Sequence, residues 1–119
     1  MATGLSDRDR KLLWCRSASL CAICHVSLIM EASKDSRASI IGEEAHIVGR
    51  SVQGPRGDDE EQERWTYDNF ILLCPSDHSL IDAQSQSYSS ARLRQIKRDH
   101  ESWVSARLRD HDRSGGPLG

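Results

Sequence analysis

Aromatic residues are scarce in this sequence: three tryptophans, two tyrosines and one phenylalanine make up 5% of 119 residues. With hydrophobic residues at 37%, the material for a core is thin, and a small, loop-rich domain of this kind gains from a metal cross-link. Charge of one sign is missing too. Sixteen Lys and Arg stand against 18 Asp and Glu, for a net charge of −2. No global positive field therefore draws the chain to nucleic acid, and any such contact has to come from a local patch. No apolar run approaches the roughly 20 residues that a membrane-spanning helix needs. The N-terminus lacks the apolar region of a secretory signal, so the expected location is the cytoplasm. No repeat or second domain is visible. The length suits one domain, expected over residues 1–111, with a disordered tail at 112–119 where Ser-Gly-Gly-Pro occurs.

What the chain does have is concentrated in the stretch Asp68 to Asp82. Phe70 to Leu73 is an apolar run that reads as a short buried strand. Cys74 follows, then Pro75, suited to the first position of a helix. That helix carries Asp77 and His78, with Leu80 and Ile81 as its apolar side. One strand, one turn and one helix thus bring Asn69, Cys74, Asp77 and His78 together. Upstream, Cys21-Ala22-Ile23-Cys24 offers two thiols at the spacing of a zinc knuckle, without the βαβ surroundings of a redox motif. Three of the four cysteines read as metal ligands, which leaves Cys15 as a small buried hydrophobe. In a strand over 44–48, Glu44, His46 and Val48 share one face. Ser6 is placed to cap a helix reaching about Arg16, with Asp7 and Asp9 in its first turn. A second long helix should start at Ser89 and run to about Arg109, with Leu93, Ile96, His100, Val104 and Leu108 at helical spacing on one face. His100 on that stripe reads as a packed, hydrogen-bonded histidine.

Taken together, His46, Asn69 and His78, framed by Cys21, Cys24 and Cys74, resemble the HNH nuclease family. The resemblance spans residues 12–103 and includes Ala45-His46-Ile47, Gly54-Pro55-Arg56-Gly57, the stretch Asn69 to Asp82, Ile96-Lys97 and His100-Glu101-Ser102-Trp103. The later segments resemble the HNH domains that stand alone or head bacterial antiphage defence effectors. The resemblance implies an α+β fold: a small ββα-metal domain with flanking N- and C-terminal helices and a zinc knuckle. It implies a metal-dependent endonuclease that hydrolyses DNA largely without sequence preference. His46 would be the general base, Asn69 would orient that base or its loop, and His78 would bind a catalytic Mg2+ or Mn2+. Many members place a further metal ligand immediately before the base. Here that position is Ala45, and Glu44 is expected to stand in. The structural zinc would take Cys21, Cys24, Cys74 and Asp77, where relatives usually end the set with cysteine or histidine; His25 is the reserve ligand. The alternative is a zinc-stabilised module that binds DNA or a protein without cutting. A sensor domain, a partner subunit or a second copy of the chain fits an effector of this kind.

Phosphate contacts have two candidate sources. Arg50 and Arg56 flank the site in sequence and suit bidentate contact with a phosphodiester. Arg94, Lys97 and Arg98 belong to a basic face of the late helix, a local patch in an acidic chain.

Overall fold

The computed structural model describes residues 4–49, 54–57 and 64–115, with backbone alone for 110–115. Arg50 and the acidic run at 58–61 lie outside the described residues. The first helix, α1 (Asp7–Arg16), begins where the sequence places its cap: the Ser6 hydroxyl accepts the Asp9 N–H at 3.1 Å. That bond satisfies one of the free donors of the first turn, which Asp7 and Asp9 also favour electrostatically. Leu13 points into the core, whereas Cys15 is exposed on the outer side of the helix. The expectation of a buried Cys15 is therefore corrected: the inward side of this short helix is taken by Leu13, and Cys15, two residues on and about 200° round the helix, is left exposed.

Two antiparallel strand pairs follow among the described residues. The first, β1 (Ile29–Met30) with β2 (Ser39–Ile40), is a small and largely exposed hairpin leaving the Cys21–Cys24 turn. The second is central. In β3 (Glu43–His46) and β4 (Phe70–Leu73), Glu43 faces Leu73 and His46 faces Phe70. All four residues of β4 are buried, which is why they read as a continuous apolar run rather than an alternation. α1, the third helix and the helix that follows β4 all pack on this strand.

That following helix, α2 (Pro75–Ala83), starts with Pro75 at its first turn, where a missing N–H costs nothing. Its cap is Cys74, whose sulfur accepts the Asp77 N–H at 3.4 Å. The third helix, α3 (Ser90–Gly115), is capped by Ser89 through the Arg92 N–H. Leu93, His100 and Val104 are buried on its inner face, while Leu108 at the end of the stripe is exposed. The helix continues past the expected end at Arg109, so residues 112–115 of the expected tail are helical. The chain is thus a small α+β protein, and no helix among its described residues is long and apolar enough to cross a membrane.

Candidate functional site

Two polar clusters share the first turns of the helix after β4, one through Asp77 and the other through His78. The first joins the Cys21–Cys24 turn to the start of α2. Sγ of Cys21, Cys24 and Cys74 and a carboxylate oxygen of Asp77 all lie within 4.8 Å of one another, a grouping able to hold a metal ion. Cys24 and Cys74 sulfurs are 3.9 Å apart, and Asp77 Oδ2 is 3.2 Å from Cys21 Sγ and 3.4 Å from Cys74 Sγ. Burial pushes the Cys24 and Cys74 thiols up, against backbone N–H bonds from Val26 and Asp77 that favour the thiolates. Burial also works against the Asp77 carboxylate, but hydrogen bonds from the three thiols outweigh it and hold its pKa low. His25 is turned away from this cluster with a backbone φ of 64°. Its ring stacks on Trp103, with centroids 4.1 Å apart. Of the two fourth-ligand candidates, Asp77 is therefore the one the fold brings to the thiols.

The second cluster lines an open cleft of about 460 Å³ bounded by α1, β3, β4 and α2. His46 and His78 both line it, with Glu44, Asp82 and Arg10. β3 presents Glu44 and His46 on the same side, as the strand period dictates. The His46 ring rests edge-on against Trp65 at 4.6 Å and tilts against Phe70 at 4.4 Å, an apolar wall that fixes its orientation. His78 stands between two carboxylates. Its Nδ1 is 2.8 Å from Glu43 Oε1 and its Nε2 is 3.5 Å from Asp82 Oδ2.

Asn69 is fully buried and does not reach the cleft. Its Oδ1 accepts the Val48 N–H at 2.9 Å, and its Nδ2 donates to the carbonyls of Val48 at 3.1 Å and Arg64 at 3.0 Å. The amide ties the chain leaving β3 to the chain entering β4, and so fixes where His46 stands. Gly49, just beyond, is where the 54–57 loop closes in: a Cβ there would meet the Pro55 carbonyl at 2.5 Å. That approach lets Gly49 N–H donate to Pro55 O at 3.0 Å.

Several expected site residues have other positions. Glu44 accepts Arg10 Nε on both oxygens and the Trp14 indole N–H on Oε2. The carboxylate that meets His78 is its neighbour Glu43, which sequence reasoning passed over. Arg56 is not a free phosphate clamp. Its side chain is 3% exposed and donates to the carbonyls of Ile47, Ile81 and Tyr88 and to Asp82 Oδ1. Lys97 is likewise not a surface cation. It is buried, donates to the Tyr67 carbonyl and lies over the Tyr67 ring, and burial lowers its pKa to about 8. Arg98 is exposed, and Arg94 lies beside it in a shallow hollow with Tyr67 and Glu101. No protein-family model matches this chain, and no curated protein matches it in sequence.

Proposed function

We propose that this chain is a divalent-metal-dependent HNH endonuclease that hydrolyses DNA phosphodiester bonds. The observation that carries the reading is one cleft lined both by His46, on a strand, and by His78, on the helix that follows the paired strand, with a carboxylate at each ring nitrogen of His78. A strand pair and a helix around such a cleft are what the resemblance implies. His46 is the general base: an imidazole near neutral pH is suited to taking a proton from an attacking water. Its ring is held by Trp65 and Phe70, and its backbone is pinned through Val48 by Asn69. Asn69 acts on the base by position rather than by contact with substrate.

An imidazole nitrogen beside a carboxylate suits magnesium or manganese, the nitrogen favouring manganese. His78 Nε2 and Asp82 Oδ2 would hold the ion, while Glu43, bonded at Nδ1 on the other side of the ring, orients the imidazole. Arg56 fixes Asp82 by bonding Oδ1, which leaves Oδ2 directed at His78. Bound there, the ion would supply charge to the phosphate and stabilise the leaving oxygen.

The Cys21, Cys24, Cys74 and Asp77 cluster is assigned to structural zinc. Zn–S bonds of about 2.3 Å in a tetrahedron put sulfurs about 3.8 Å apart, and Cys24 and Cys74 stand at 3.9 Å. Thiolate ligands select zinc over magnesium or calcium. An effector domain of a bacterial defence system is the biological setting that the resemblance suggests.

Plasmid nicking with Mn2+ tests the reading. The parent should cut, and His46→Ala should lose on the order of 10²–10⁴ in rate, the usual contribution of a general base. Undiminished cutting by His46→Ala would remove the assignment. DNA binding by a parent that never cuts would favour the non-catalytic module.

A further inference from the structure

Arg10 lies on α1, far in sequence from Glu44, His46 and His78, and none of the motif residues points to it. In the fold it lines the cleft beside Glu44, His46 and His78. Its Nε donates to Glu44 Oε1 at 3.0 Å and Oε2 at 2.8 Å, and the Trp14 indole holds Oε2 at 2.9 Å from behind. Glu44 is thus a fixed anchor, its charge balanced by a guanidinium. The bonds to Glu44 use Nε, and the terminal nitrogens show a loose 3.7 Å approach of Nη1 to Asp7, whose side chain is 93% exposed. Pairings of that kind hold weakly in water.

The cleft needs a cation of this sort. Among the described residues lining it, Arg10 and Arg56 are the permanently positive ones. Arg56 is buried and occupied by three carbonyls and Asp82. Arg10, with a side chain 46% exposed, is accessible. A guanidinium fixed on one edge with its Nη edge open has the planar fork that grips two oxygens of one phosphate. We propose that Arg10, held by Glu44, binds a phosphate of the DNA strand entering the cleft. Glu44 is then a positioning residue for Arg10 and not a ligand of the catalytic ion. This inference rests on the nuclease reading above and deepens it.

Binding of a duplex oligonucleotide to the His46→Ala protein, measured by fluorescence anisotropy across a salt series, reads Arg10 without cutting. Adding Arg10→Gln should reduce the slope of log affinity against log salt by about 0.9, one phosphate contact on duplex DNA. Arg10→Lys keeps the charge and guards against a folding defect in the glutamine variant; it should keep most of the slope while raising KM for cleavage in an otherwise unaltered protein. Glu44→Gln separates the two roles of the carboxylate. It should raise KM for DNA and leave the Mn2+ requirement of cleavage unchanged. A Mn2+ requirement raised about 10-fold or more, as loss of a metal-site residue produces, would overturn the assignment of Glu44. An unchanged salt slope in Arg10→Gln would overturn that of Arg10, and if the parent cuts, the nuclease reading survives. A parent that binds with an Arg10-dependent slope but does not cut upholds the phosphate contact and rejects the nuclease. A parent that neither binds nor cuts rejects both.

Discussion

Replacing Asn69 with alanine should be among the costliest single changes in the chain. The side chain is fully buried and makes hydrogen bonds to the Val48 N–H, the Val48 carbonyl and the Arg64 carbonyl. Alanine strands all three partners. Val48 is itself 0% exposed, so water cannot replace the amide there, and each unmet group costs about 1–3 kcal/mol. Arg64 is only part-buried and its carbonyl recovers some hydration. The expected loss is about 3–5 kcal/mol, against a total of about 5–15 kcal/mol for an ordinary domain. Urea unfolding followed by tryptophan fluorescence reads it as a lower midpoint at unchanged slope. Nicking measured well below that midpoint should also fall, because the backbone that places His46 has lost its tie to β4. A destabilisation of about 0.5 kcal/mol or less, the scale of a surface change, would show that the amide does not hold the two segments together.

Other consequences can be checked in the same way. Burial lowers Lys97 to about 8 from 10.5, so between those values the folded chain binds fewer protons than the unfolded one and stability must rise with pH. The penalty of burying the charge is full below about pH 8 and is relieved towards pH 10.5. The stability difference between the parent and Lys97→Met should therefore shift in the parent's favour by up to about 3 kcal/mol across that window; a flat difference would refute it. Protein purified without chelator should carry about one zinc per chain, and its melting temperature should fall on chelation; an unchanged melt would deny the cluster a structural role. Alanine at Arg94 and Arg98 should weaken duplex binding alike on unrelated sequences, each lost contact lowering the salt slope by about 0.9, and affinity equal to the parent's would leave α3 as scaffold alone.

The local signals in the sequence were reliable where the physics is local. Ser6, Ser89 and Pro75 mark helix starts because capping depends on a few neighbouring atoms. Phe70 to Leu73 declares a strand buried on both faces. The thiol cluster follows from spacing plus one strand. Charged side chains were harder, because their roles depend on what crosses over them. The strand period correctly puts Glu44 on the side of His46, but it says nothing of α2 laying His78 over Glu43 or of α1 bringing Arg10 to Glu44. Arg56 in a Gly-Pro-Arg-Gly loop looks solvent-facing, and only the packing of Ile81 and Tyr88 around it makes it internal. Its backbone φ of 56° belongs to the folded loop and leaves no trace in the sequence. Lys97 did carry a signal. It stands four residues after Leu93 and three before His100, both buried, so it borders the apolar stripe, where a long aliphatic stem is readily covered.

Asp77 and His78 are consecutive residues of one helix turn, yet one belongs to the thiol cluster and the other to the cleft. Successive residues on a helix point about 100° apart, and here that single angle separates the two sites. Adding or removing one residue in α2 ahead of Asp77 would rotate both clusters' side chains at once, and no adjustment on one side would repair the other. The segment is intolerant of length change for a geometric reason rather than a hydrophobic one. The exposed residues 31–38, between β1 and β2, carry no such constraint. That connection is where insertions, tags or fused modules can be accommodated without disturbing either site.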